Sequence, residues 1–327
     1  MSLSHSHYDH RFKAMGGPCR LRLDCADATM AKRAIAAAEA EVVRLERKYS
    51  RYLPDSLTSA INRAAGSAQA VPIDAETAGL LGFAQTLWEQ SGGLFDLSAG
   101  ILRRAWDFRS GKLPAQSTID GLLPLIGWDR VQWDQNVILL PESGMEIDFG
   151  GCVKEYASDS AAAVLASHGI ERGLVDLAGD MAAVGAGCAA EPWSVGIRNP
   201  RDSATAIAQF ALAGGGLASS GDYERCMLVD GRRYGHILNS TTGWPVQGLA
   251  AVSISAPQCL VAGGSATIAM LKPEAEALTW LRELGLPWFA VDSAMRCHGE
   301  LHSGCLQIRL CRPRGSSQAS GSGGVSW

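Results

Sequence analysis

Residues 145–180 read MEIDFGGCVKEYASDSAAAVLASHGIERGLVDLAGD, and the remainder of the chain is arranged around them. The stretch reads as a short strand ending in Asp148, a turn at Gly150 and Gly151, a helix, and a second strand. Ala161, Val164 and Leu165 recur at helical spacing, and Gly169 after His168 supplies the stop. The second strand, Gly173 to Leu177, runs into Gly179 and Asp180, where a backbone without side chains lets a ligand approach closely. Two carboxylates, a lysine and paired glycines therefore meet where two strands and a helix join. Glycine turns ahead of helices present free N–H groups, so the place suits a ligand carrying phosphates. Turn chemistry alone also produces Gly and Asp at such junctions, and that reading stays open for this stretch taken by itself.

Composition narrows the class. The chain has 327 residues, 47% of them hydrophobic and 19% charged, enough for one large domain or two intimate lobes. Its net charge is −4, so no basic field invites nucleic acid or an anionic membrane. Nine cysteines, at positions 19, 25, 152, 188, 226, 259, 297, 305 and 311, contain no CxxC and fit free thiols in a reducing compartment. No apolar run is long enough to span a bilayer, and the N-terminal residues show no apolar core of a signal peptide. A cytoplasmic location is expected. Residues 1–10, with His5, His7 and His10, are expected to form a flexible N-terminus, and the Gly/Ser-rich residues 313–327 a disordered tail.

Between these ends, elements alternate irregularly. Leu21 and Leu23 alternate with Arg20, Arg22 and Asp24, as in a half-buried strand. Asp27 and Asp74 each open a capped helix, the second ending before Gly92. A hairpin is expected between Trp128 and Leu140, and strands at 193–198, 207–212 and 227–229. Without strict βαβα order the pattern favours α+β over a doubly wound sheet.

Several separated segments then match one family in one order. Met15-Gly16-Gly17 resembles a Met-Gly-Thr that precedes a strand, and Ser50-Arg51-Tyr52 with Ser56 to Asn62 resembles S-x-Y…D-S-x-L-S-x-x-N. Gly93 to Gly100 resembles G-x-F-D-x-T-x-G, and the opening stretch resembles D-L-G-G-I-A-K-G-Y-A-V-D followed by G-G-D. Pro192-Trp193, Ser219 to Tyr223, and His236 to Asn239 with Thr242, Gly243 and Pro245 complete the series. The chain thus resembles the ApbE-type FAD:protein FMN transferases over roughly residues 11 to 295, and residues 11–312 are expected to form one such FAD-binding domain. The resemblance implies an α+β fold of two packed lobes with a flavin cleft between them. It also implies magnesium-dependent transfer of FMN from FAD to a threonine of an acceptor flavoprotein, with release of AMP.

Carried over by position, the implied FAD contacts are Met15, Tyr52, Leu94, Phe95, Asp96, Asp148, Lys154 and Leu238. Lys154 would lie near the pyrophosphate, and the catalytic candidates are Asp148, Lys154, Asp180 and His236. His236 is expected chiefly to hydrogen-bond the loop that carries Leu238, with general-base work as the lesser reading. The implied metal ligands are the Gly151 carbonyl and Thr267, but the family's aspartate position is Gly263 here. Glu155 replaces the glycine of K-G-Y, and either supplies a carboxylate near the site or merely starts a helix. Asp176 stands where Asn is usual, and Ala178 replaces the first glycine of G-G-D. Gly263 favours one alternative, a degenerate FAD-binding protein without transferase activity; a second, a pyrophosphatase that uses the same site with water as acceptor and yields FMN and AMP, is not separated by the sequence. Two lesser readings are self-modification at Ser265-Ala266-Thr267 and a zinc site at Cys297, His298, His302 and Cys305, whose spacing matches no standard finger.

Overall fold

The computed structural model describes residues 6–185, 191–299, 302–303 and 306–310. The expected tail at 313–327 lies outside the described residues, as do His5, Cys188, Cys305 and Cys311.

Strand β1 (Ser6–Ala14) pairs antiparallel with β2 (Gly17–Cys25). Cys19, Leu21, Leu23 and Cys25 are buried while the residues between them face outward, the two-residue period of a strand. Residues 6–10, expected to be flexible, belong to β1. Their polarity reflects an edge strand held by its ladder to β2 and by His7–Asp24 (2.9 Å) and His10–Glu39 (2.7 Å) contacts.

Helix α1 (Ala28–Tyr49) starts where Asp27 accepts from the amides of Thr29 and Met30, and buries Ala31, Ala34, Ala38, Val42, Leu45 and Tyr49. α2 (Leu57–Arg63) follows, then β3 (Val71–Pro72) and α3 (Ala75–Ser91), which Asp74 caps and a left-handed Gly92 ends. After α4 (Gln116–Leu122), β4 (Gln132–Trp133) and β5 (Val137–Leu139) form the expected hairpin, with β3 on the other side of β5. The strand expected to end at Asp148 is absent. Residues 145–148 are irregular because their polar backbone is bonded elsewhere: Asn62 donates to the Ile147 carbonyl and accepts from its amide, and Asp148 N donates to Leu97.

Helix α5 (Val153–Ser167) leads to β6 (Arg172–Leu177) and β7 (Asp180–Val184). Then come β8 (Trp193–Asn199), β9 (Asp202–Leu212), β10 (Gly215–Gly221), β11 (Cys226–Val229), β12 (Arg232–Gly235) and β13 (Ala251–Ala256). α6 (Cys259–Leu271), α7 (Glu274–Glu283), β14 (Trp288–Val291), β15 (Cys297–Gly299), β16 (His302–Ser303) and β17 (Leu306–Leu310) complete the described chain.

Eight strands form one antiparallel sheet in the order β1-β2-β6-β7-β10-β13-β14-β15. Alternate residues serve two cores. Val175, Ala218, Val252 and Ala290 pack with α1, α5 and α6, whereas Leu174, Leu217, Ala251 and Val291 pack with Val195, Ile197, Ala208 and Phe210 of the sheet β16-β17-β9-β8. A third cluster, Leu102, Trp106, Ile119, Met227 and Tyr234, joins residues 97–126 to the β11–β12 hairpin. The class is α+β, as expected.

One residue fixes α6 against α5. Asp159 of α5 accepts from the first amides of α6, Cys259 N (2.8 Å) and Leu260 N (2.9 Å), while Gln258 gives no side-chain cap. Asp159→Ala should therefore lower unfolding free energy by about 1–2 kcal/mol in urea titration. An unchanged midpoint would show that solvent replaces this cap.

A charged network ties α1, α3 and α5 together. Arg44 and Lys48 reach Glu76 at 2.6 and 2.7 Å, and the Tyr156 hydroxyl donates to it at 3.1 Å. Burial raises the Glu76 carboxyl, but Arg44 and Lys48 outweigh it and bring it from 4.5 down to about 2. A lowered folded value means stability that is complete above 4.5 and is lost as pH falls through 2. Because Arg44 is half in water, Glu76→Gln should cost about 1 kcal/mol at pH 7. Melts of both proteins should converge near pH 2.

Candidate active site

The start of α5 gathers the site. The Gly150-Gly151 turn precedes it, and Asp148 caps that turn by accepting from Gly150 N at 3.0 Å. Arg51, from the segment between α1 and α2, pairs with Asp148 at 2.8 Å and donates to the Gly100 carbonyl at 3.1 Å. Gly100 has no room for more: a Cβ there would stand 2.5 Å from the Asp148 Cβ. Phe95 lies buried under Gly151.

Within the first turn of α5, Lys154 forms an ion pair with Asp180, the first residue of β7. Asp180 is buried, accepts from Ser219 N at 3.3 Å through its other oxygen, and its carbonyl accepts from Ser158 Oγ at 3.1 Å. Burial works against the Lys154 charge, yet Asp180 and Glu155 hold its ammonium well above the usual lysine range. Glu155 is buried behind this pair, and burial together with Asp180 pushes its carboxyl up. On α6, Thr267 comes within 3.4 Å of Ser220 of β10, the neighbour of Ser219.

The remaining candidates divide. His236 is near Lys154 and Arg225; burial first, then these two cations, bring its ring from 6.5 down to about 4. Its Nδ1 is buried with no hydrogen-bond partner among the described residues. Met15 holds a left-handed φ of 53° at the β1–β2 turn, beside the Ala178-Gly179 turn whose Ala178 N donates to Pro18. Tyr52 is 72% exposed, with its ring against the Arg51 guanidinium. Leu94 packs on the main core, and Leu238 packs on the third apolar cluster and bridges to Pro245. The loop carrying Leu238 is tied to Gly93 by Ser240 Oγ at 3.0 Å.

Asp96 has a structural task. Its Oδ1 accepts from Ser98 N and Oγ, and its Oδ2 from Trp128 N, so both oxygens are engaged inside the protein. Of the four residues at zinc-like spacing, His298 is bound to Asp292 at 2.9 Å, and the side chains of His302 and Cys305 lie outside the described residues. Among the described residues no cluster of three or more His, Cys, Asp or Glu side chains forms a metal centre. A cavity of about 330 Å³ between Arg201, Asp222, Arg233, Gln247 and Glu274 includes none of the residues gathered at α5.

Sequence patterns do not single out Arg51, Asp159 or Ser219 as supports of the site. Arg51 stands inside a recognised motif, but nothing in the sequence signals its pairing with Asp148 ninety-seven residues on.

Fold and site together define an α+β protein that brings a glycine turn, a lysine paired with a buried carboxylate and a buried phenylalanine to one helix start. The model of the ApbE family matches residues 15–289. The chain belongs to the ApbE family. An FAD:protein FMN transferase of Treponema pallidum is 30% identical over 248 residues, covering 70% of this chain and 68% of that protein. One from Klebsiella pneumoniae is 26% identical over 291 residues, covering 85% and 82%. The crystal structure of the ApbE protein of Thermotoga maritima superposes with a TM-score of 0.82 at 27% identity, over 90% of this chain and 97% of that one.

Proposed function

We propose that this chain is an FAD:protein FMN transferase that moves FMN from FAD onto a threonine hydroxyl of an acceptor flavoprotein and releases AMP. The observation that carries this reading is the pair of half-buried Lys154 with buried Asp180 at the start of α5, behind the Gly150-Gly151 turn, in a member of the ApbE family.

Half-buried Leu94 and Leu238 offer apolar surface to the flavin, Phe95 backs the Gly151 turn from the core, and exposed Tyr52 is free to close over it. Lys154 meets the pyrophosphate as a point charge. Asp180 already neutralises Lys154, and burial beside Asp180 favours the protonated form of Glu155; a divalent cation arriving with the pyrophosphate would favour its ionised form. These oxygen donors fit magnesium: Glu155, Asp180 and the Thr267 hydroxyl would hold it, with the Gly151 carbonyl nearby in the chain. Bound there, the ion supplies neutralisation of charge on the phosphates.

The threonine oxygen forms a bond to the phosphorus on the FMN side, and the bond from that phosphorus to the bridging oxygen breaks. AMP departs with the electron pair. His236, kept neutral by burial and two neighbouring cations, accepts the threonine proton at Nδ1. With its ring at about 4, the basic form persists across the neutral range, so the rate should stay flat from pH 7 down to about 5. His236→Gln should bind FAD normally and lower AMP release at least ~10²-fold. Chromatography of AMP together with the mass of an acceptor peptide, with and without magnesium, tests the reading: AMP with FMN-bearing peptide only with the ion supports it, and release unaffected by His236→Gln contradicts the assignment of that base. Among the described residues, Cys19, Cys25, Cys152, Cys226, Cys259 and Cys297 pair with no other cysteine.

A further inference from the structure

Positions 155 and 263 compete for one volume. A Cβ at Gly263 would stand 2.4 Å from Cγ of Glu155 and 3.0 Å from its Cδ, so no side chain fits there while Glu155 keeps its place. Glu155 is 8% exposed and anchored in the first turn of α5. Its Oε2 is buried without a hydrogen-bond partner among the described residues, a costly state for an acid oxygen that only packs. The carboxyl instead faces Asp180. Thr267 lies one helical turn beyond Gly263, against Ser220, and the adjoining Ser219 amide holds Asp180.

We infer that Glu155 delivers from α5 the metal-binding carboxylate that position 263 would otherwise deliver from α6, and that with Asp180 it holds a divalent cation at this point. This deepens the transferase reading and rests on it for the cation's purpose. The two positions are mutually exclusive, because an acid at 263 needs the space that Glu155 fills. Carboxylate and hydroxyl donors favour magnesium or manganese over zinc.

The test is a manganese titration of the full chain, with free Mn²⁺ read by electron paramagnetic resonance and folding followed by thermal melting. Glu155→Gln keeps the shape and removes the charge. It should weaken Mn²⁺ binding at least about tenfold while the melting midpoint holds. Gly263→Asp alone should melt earlier and bind no tighter than the wild type. Adding Glu155→Gly to Gly263→Asp should restore both folding and Mn²⁺ affinity. Unchanged binding in Glu155→Gln, or a well-folded Gly263→Asp that binds more tightly, would overturn the inference. Mn²⁺ held through Glu155 without any FMN transfer would contradict the transferase reading alone. Transfer and Mn²⁺ binding both undisturbed in Glu155→Gln would contradict only the role of Glu155.

Discussion

Replacing Asp180 by alanine should lower stability by about 3 kcal/mol and AMP release by at least about 10²-fold. The stability loss arises because the half-buried Lys154 would lose its closest counter-ion. Glu155 stays beside the ammonium and recovers part of the interaction, which places the loss at the lower end of the range for broken buried pairs. The rate loss has a separate origin: Asp180 orients Lys154 and, in our reading, helps hold the cation. Asp180→Asn distinguishes the two. It keeps the contact with Ser219 N and should recover stability before it recovers rate. A loss under about 1 kcal/mol with full activity would remove this pair from the centre of the account.

Phe149→Ala should cost about 3–5 kcal/mol in equilibrium unfolding. Phe149 is fully buried between Asp148 and Gly150, and its ring lies 4.9 Å from that of Tyr49 at the end of α1. Truncation would leave a cavity under the turn that positions Asp148, Gly151 and the start of α5. Stability and FAD affinity should therefore fall together. A stable variant with weakened FAD binding alone would mean that the turn collapses onto the gap, and a cost below about 1 kcal/mol would contradict the packing described.

Much of the fold is legible in the order of the amino acids. The caps at Asp27 and Asp74, the helix from residue 153 and the strands around it follow from periodicity and turn residues, which act locally. Long-range pairing is not legible. Asn62 holding Ile147, Arg51 holding Asp148 and Asp159 capping α6 join positions far apart in the chain, and no local pattern encodes them. Residues 145–148 mimic a strand because apolar alternation looks the same whether or not a partner strand exists. Residues 6–10 mimic a flexible tail because an exposed edge strand shares its composition. Gly263 and Glu155 are the clearest case: each is a separate departure in the sequence, and only the contact between them makes them one feature.

Ala178 shows the opposite relation. It keeps a φ of 55° although the glycine of the resembling motif is gone, so the turn into Asp180 is imposed by its surroundings at a cost of about 1–2 kcal/mol. The ladder between β6 and β7 and the Ala178 N bond to Pro18 hold it there.

The most direct test of the account is the intact mass of a threonine-containing acceptor peptide after incubation with the protein, FAD and magnesium. The account predicts a gain equal to one FMN moiety, with one AMP released per modified peptide and neither product without magnesium. Free FMN and AMP beside an unmodified peptide, or FAD bound and unchanged, would contradict it.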